Sequence, residues 1–226
     1  MAVKRRARTD EQKSVRRQEI LDVAWGIYQT RRYDEISMSQ IAQAAGLAKG
    51  TVYLYFDTKE ALFLAVLDEQ LGAWYDAADA GLRELAGSDD MTAVSTLFCE
   101  EMCSRPGLTR LFAIMQVILE HNIDYETALR FKRQLLYRIV TTGALLEACL
   151  SFLAMGQGAH LLLHISMFVI GLEQQANPAP VIKKAIEEEV DMAVLGLDFA
   201  AECKTFMMTL LHGTAALSQG RVTIDN

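Results

Sequence analysis

Between positions 49 and 59 the chain gathers side chains whose chemistry suits a polyanion. Lys49 and Lys59 carry ammonium groups, and Gly50 leaves room for a phosphate to approach the backbone. Thr51 offers a hydroxyl and a methyl to base edges, Tyr53 and Tyr55 add phenolic donors, and Ser37 and Ser39 add hydroxyls upstream. This is a binding set rather than a reacting one. No phosphate-cradling glycine loop, nucleophile elbow or metal-binding helix motif occurs, and the four histidines lack evident triad partners, so no enzyme is expected. Cys99 and Cys103 lie four apart, as do His160 and His164, spacings that suit a shared metal or, for the thiols, oxidation sensing. Two ligands do not make a structural site, so no metal or cofactor is expected.

The elements that must position this set are helices. Ser37 and Gln40 form a capping pair that opens a short helix through Ala45, and Gly46 ends it as a residue free to adopt positive φ. A second short helix runs from about Ala48 to Tyr55. Residues 37–56 thus match a helix-turn-helix whose second helix enters the major groove of DNA, with Ile41, Ala45, Leu47, Val52 and Phe56 as its small core. A first helix is expected from Thr9, paired with Gln12 as a cap, to about Arg31. Asp57 or Thr58 caps a long fourth helix from Lys59, striped by Leu64, Leu67, Leu71, Trp74, Ala78, Leu82 and Leu85 and ended by Gly87–Asp90. Further helices are predicted over 91–104, 107–121, 125–150, 157–175, 179–194 and 198–218, broken at Pro106-Gly107, Gly156-Gln157-Gly158 and Asn177–Pro180. The fold class is therefore all-α: an N-terminal three-helix helix-turn-helix domain followed by a larger helical domain.

Charge is unevenly placed. The chain has 226 residues, 51% of them hydrophobic, and a net charge of −7, which excludes disorder and a wholly basic surface. Residues 1–60 hold 11 Lys and Arg against 8 Asp and Glu, the remainder 11 against 21. Lys4, Arg5, Arg6, Arg8, Lys13, Arg16 and Arg17 put the cations at the N-terminus, where a DNA-facing surface needs them. The expected organisation is a basic arm and start of the first helix over 1–13, a DNA-binding domain over 14–67 and a body over 68–226. Without a signal-peptide pattern, a cytoplasmic protein with reduced thiols is expected. The apolar stretch Ile139–Leu172 is broken by Thr141, Thr142, Gly143, Glu147, Gly156 and His160, so buried helices rather than membrane spans are expected.

The segment from Ile36 to Leu62, with Ile20, Leu21, Asp22, Val23, Ala24, Tyr33 and Asp34 before it, resembles the DNA-binding domain of the TetR family of bacterial transcriptional regulators. The resemblance runs from about Arg17 to about Leu67, roughly the first third of the chain. It implies a homodimer reading successive major grooves of a palindromic double-stranded operator, with Ser37 and Ser39 on phosphate and Lys49, Gly50, Thr51, Tyr53, Tyr55 and Lys59 as the main DNA surface. Two positions depart from the pattern: Tyr55 stands where a histidine is frequent, and Ala48 where a serine is frequent.

The body is expected to sense and to dimerise. Phe98, Met102, Phe112, Met115, Leu119, Tyr137 and Phe152 are candidate walls of a pocket for a small hydrophobic inducer, with Glu120 or His121 as polar contacts. Apolar side chains surround the helix near 157–175 and stripe the last one, so Leu161, Ile165, Phe168, Leu172, Phe206, Leu210 and Leu217 are candidates for a four-helix dimer interface. The expected function is a transcriptional regulator, acting as a repressor in the family's usual mode. The alternative is a DNA-binding regulator whose body binds a protein in place of a small molecule.

Overall fold

The computed structural model describes the backbone of residues 2–220 and the side chains of residues 11–220. Lys4, Arg5, Arg6, Arg8 and the Thr9 cap therefore lie outside the described side chains. Among the described residues every regular element is helical: α1 (Ala2–Tyr28), α2 (Met38–Ala44), α3 (Lys49–Tyr53), α4 (Lys59–Glu84), α5 (Met91–Cys103), α6 (Pro106–Ala113), α7 (Tyr125–Cys149), α8 (Gln157–Ala176), α9 (Pro180–Glu188) and α10 (Phe199–Ser218). Short 3-10 turns cover Tyr33–Glu35 and Val190–Leu195, and Met115–Leu119 forms a wider π turn.

Three boundaries differ most from the sequence expectation. The first helix begins at Ala2 rather than Thr9, because Ala, Lys and Arg favour helix and no Gly or Pro interrupts them. The element expected over 107–121 ends as α-helix at Ala113 and loosens into the π turn. The element expected over 179–194 stops at Glu188, and Val190–Leu195 after it takes 3-10 geometry.

The chain forms two compact units. The first runs to Glu69 and takes in Ile114–Lys132. It therefore includes the expected DNA-binding domain plus a stretch from the middle of the chain. Its core is built from Ile20, Leu21, Ala24 and Tyr28 of α1, Ile41 and Ala42 of α2, Val52 of α3, and Leu62, Phe63, Val66 and Leu67 of α4. The hydroxyl of Thr58 accepts from Ala61 N (3.0 Å), capping α4, and donates to Asn122 O (2.8 Å). Asn122 Nδ2 then donates to Glu60 (3.2 Å), so the loop before α7 is tied to the first turn of α4 by two hydrogen bonds.

The second unit comprises Gln70–Ala113 and the chain from Arg133 onward. Here α5 packs on α10, α6 on α8, and α8 on α10. The rings of Phe168 and Phe206 stack 3.6 Å apart and join α8 to α10. Helices α7 and α8 cross at two glycines, where a methyl on Gly143 would sit 2.5 Å from Ala159 N and one on Gly158 would overlap the Gly143 carbonyl. Glu147 Oε1 accepts from the backbone N–H groups of Gly156 (2.8 Å) and Gly158 (2.9 Å), closing the N-terminus of α8. The single formal charge of the apolar stretch is thus a helix-capping group. Among the described residues no helix is long and apolar enough to cross a membrane.

All four cysteines are free, and only Cys103 is exposed. The Cys99 and Cys203 thiols interact across the α5–α10 contact, which pulls the Cys99 thiol below its ordinary pKa and pushes that of Cys203 up. Under native conditions a maleimide is expected to label Cys103 alone, and all four thiols only after unfolding. Mass spectrometry of labelled peptides checks this; rapid native labelling of Cys203 would contradict the packing of α10 on α5.

Candidate nucleic-acid interface

Local chemistry fixes the turn that presents α3. Ser37 Oγ accepts from Gln40 N (3.3 Å) while Gln40 Oε1 accepts from Ser37 N (2.8 Å), the reciprocal cap read from the sequence. At the other end Gly46 has φ +67°, with Leu47 N donating to Ala42 O (2.8 Å) and Gly46 N to Gln43 O (3.1 Å). These two bonds close α2 and leave the chain free to turn into α3. A β-carbon at position 46 would meet no neighbour, so the glycine is required by backbone angle alone.

One side of α3 is anchored and the other is open. Val52 is fully buried, Phe56 just beyond is nearly so, and the Arg17 guanidinium lies over the Phe56 ring at 5.0 Å. Lys49, Gly50, Tyr53 and Leu54 point outward, with Thr51 half-buried at the edge. Tyr53 is 39% exposed and Leu54 83%. The Lys49 ammonium sits over the Tyr53 ring at 5.7 Å, so cation and phenol stand together on one exposed arc. Ser39 and Gln43 are exposed on α2, and Tyr55 is half-buried. Ala48 precedes α3 without a side-chain cap, leaving the turn short of a hydroxyl.

The expected DNA residues thus divide in two. Lys49, Gly50, Tyr53 and Ser39 are open to a ligand. Ser37 is engaged in its cap. Lys59 is more strongly committed: its ammonium donates to Tyr33 O and Ile36 O, both at 2.9 Å, and lies 3.9 Å from the centre of the Tyr33 ring. Burial pushes its pKa below the ordinary lysine value, with Glu60 and Asp34 opposing. Lys59 therefore ties α4 to the segment that leads into α2. Removing its charge by Lys59→Met is expected to cost about 1–3 kcal/mol of stability, because two carbonyls lose their donor. The salt dependence of DNA binding should stay unchanged; a smaller salt slope would show instead that Lys59 meets phosphate.

Sequence reading missed two residues of this surface. An apolar residue such as Leu54 is first assigned to a core, yet it is 83% exposed. Arg17 stood among the basic N-terminal residues, but nothing in its spacing announced the contact with Phe56.

In the body the expected pocket residues do not form one set. Phe98, Met102 and Phe112 are buried in the second unit, Met115 and Leu119 in the first, and Phe152 is half-buried. Tyr137 is 71% exposed, since it shares the solvent face of α7 with Glu126, Arg130, Arg133 and Ala144. That face cannot line the interior of the unit. Glu120 pairs with Lys132 at 2.6 Å and His121 is exposed. Trp74, overlooked as a polar group because it lies in the α4 stripe, is 2% exposed beside Tyr75 and Phe98, and its indole N–H has no hydrogen-bond partner.

The expected interface residues also split. Leu161, Ile165 and Leu172 are buried within their own chain because α8 turns them towards α6 and α10. Phe168, Phe206 and Leu210 are half-buried and Leu217 is exposed. The open face of α8 instead carries His160, Leu163, His164, Met167 and Gly171. Among the described residues no group of three or more His, Cys, Asp or Glu side chains is placed to hold a metal.

Among the described residues the chain is a set of helices in which a capped turn presents a cationic, phenolic helix to solvent. Residues 20–66 match the family model described as bacterial regulatory proteins, tetR family, and residues 68–217 match the one described as tetracyclin repressor-like, C-terminal domain. The chain belongs to the TetR family of DNA-binding transcriptional regulators.

The fatty acid metabolism regulator protein of Bacillus subtilis is 30% identical over 84 residues, 37% of this chain and 43% of that protein. The HTH-type transcriptional regulator RutR of Escherichia coli K12 is 30% identical over 142 residues, 57% of this chain and 66% of that one. The matches thus span less than two thirds of these curated relatives. The fatty acid degradation regulator FadR from Bacillus halodurans shares the fold with a TM-score of 0.56 at 20% identity, covering 88% of this chain and 95% of that one.

Proposed function

We propose that the chain is a dimeric repressor released from a palindromic operator by a small, largely hydrophobic ligand, and that it works in the cytoplasm. The observation that carries the DNA half is the outward arc of Lys49, Gly50, Tyr53 and Leu54 on a helix whose opposite side is locked by Val52 and Phe56. In this reading Lys49 and Ser39 meet phosphate, Tyr53 and Thr51 reach base edges or sugar, and Leu54 packs on a thymine methyl. Ser37, Tyr55 and Lys59 hold the geometry.

The ligand half is supported by Trp74. A buried indole N–H without an acceptor costs about 1–3 kcal/mol, a cost that a bound molecule offering an acceptor would remove. The rings of Tyr75 and Phe98 pack beside it, and Met102 lies on the same helix as Phe98. Two similar regulators are named for fatty acid metabolism or degradation, so fatty acids form the first ligand class to try. The dimer is supported by the open apolar side chains Leu163, Met167 and Leu217 on α8 and α10.

The test is reciprocity. A panel of fatty acids is screened for a rise in melting temperature, and any hit is titrated with and without operator DNA. Ligand and operator are expected to weaken each other by the same factor, about 5- to 150-fold. Independent affinities would overturn ligand release, and no hit together with operator binding would favour a protein partner for the body.

A further inference from the structure

The segment Pro180–Leu197 lies between α8 and α10, and none of its residues is buried. Helix α9 packs on the 3-10 turn that follows it, with the Ile186 side chain against Gly196. The polar side of α9 is self-sufficient: Lys183 pairs with Glu187 and Lys184 with Glu188, each one helical turn apart. The 3-10 turn beyond it, Val190–Leu195, carries open apolar side chains. Val190 is 93% exposed, Val194 81% and Leu195 57%, far more than an isolated surface leucine or valine requires.

A second open apolar patch lies on α7, where Leu136, Tyr137 and Val140 are all exposed. The charges beside the two patches are opposite. Glu189 and Asp191 flank the arm's valine, while Arg133 flanks the α7 patch, and none of the three makes an ion pair among the described residues. An apolar strip edged by free carboxylates fits an apolar strip edged by a free guanidinium.

We propose that Pro180–Leu197 is an arm received by a second copy of this chain, its Val190, Val194 and Leu195 lying on the face formed by Leu136, Tyr137 and Val140 of the partner subunit. The inference rests on the dimer reading above and names a surface beyond the open faces of α8 and α10. Those helices flank the arm in sequence, so a dimer joined through them carries each arm into the neighbourhood of its partner. The arm's charge then selects α7 as the place where it settles.

The test uses full-length protein in a Cys103→Ser background, which removes the exposed native thiol. One preparation carries Val194→Cys and another, differently tagged, carries Tyr137→Cys; the two are mixed, exchanged and treated with a short bis-maleimide. The expected product is a covalent dimer containing both tags. In separate preparations, Val190→Asp with Val194→Asp is expected to raise the dimer dissociation constant about tenfold or more while circular dichroism stays unchanged.

No mixed-tag product from a sample that light scattering shows to be dimeric overturns the arm and leaves the dimer reading standing. A chain carrying both cysteines that cross-links only within itself, as a monomer-sized product, overturns it as well, because the arm then covers its own α7. A monomer at every concentration, in the unmodified chain, overturns the dimer reading and the arm with it.

Discussion

Lys49→Ala lowers operator affinity about tenfold per half-site, and so roughly 100-fold for a dimer with two heads, and reduces the salt slope of binding by about two. The direction follows from geometry. The Lys49 ammonium is exposed and, among the described residues, makes no salt bridge within the chain; its recorded contact is the Tyr53 ring. A cation held this way loses little on meeting a phosphate, and its removal leaves no buried group unsatisfied. Tyr53→Ala acts on the same arc, deleting a donor and the ring on which Lys49 rests. Because the two side chains touch, the double variant should lose less than the sum of the single losses.

Stability should barely move in either variant, within about 0.5 kcal/mol, since neither residue belongs to the core. A mobility-shift titration across several salt concentrations, with melting curves of the same preparations, reads both quantities. Unchanged affinity would remove α3 from the DNA interface.

The second large effect lies in the body. Gly158→Ala is expected to lower its melting temperature by about 5 to 10 °C, the consequence of roughly 1–3 kcal/mol of overpacking in a unit of this size. The added methyl would overlap the carbonyl oxygen of Gly143, and backbone cannot swing aside as a flexible side chain can. Helices α7 and α8 would have to separate, which also draws Glu147 away from the N–H groups of Gly156 and Gly158. Gly171→Ala is the matched control, because a β-carbon there meets nothing within 4 Å. Scanning calorimetry of the two variants distinguishes a packing requirement from a general intolerance of alanine on α8. Equal melting temperatures would contradict the close crossing.

Where the chain's own local chemistry decides a feature, the sequence showed it. The Ser37–Gln40 cap, the positive φ at Gly46 and the α4 stripe depend on residues within a few positions of one another, and each is found as expected. Features that depend on distant partners were hidden. Lys59 looks like a phosphate ligand in the sequence, and only the carbonyls of Tyr33 and Ile36, more than twenty residues away, show that it is occupied. Leu161, Ile165 and Leu172 share a periodicity that fits an interface or a core equally well, and the packing of α6 and α10 decides for the core. The residue type of Tyr137 suits a pocket wall, whereas Arg133 and Gln134 one turn before it on α7 mark a solvent face.

The π turn at Met115–Leu119 had no sequence punctuation at all, since neither Gly nor Pro interrupts that run. The Trp74 indole illustrates the converse. Its place in the apolar stripe is correct, but hydropathy says nothing about the fate of one N–H.

Selection of bound duplexes from a random pool by the protein, followed by a footprint on the enriched sequence, asks whether this head reads a two-fold symmetric DNA sequence. One palindromic motif is expected, its half-sites spaced for adjacent major grooves, about one helical turn apart or a multiple of it. With the Lys49→Ala, Tyr53→Ala double variant the motif should be lost from the selection. An unenriched pool, or a single asymmetric site bound equally well by the double variant, would show that the head does not read DNA in this way.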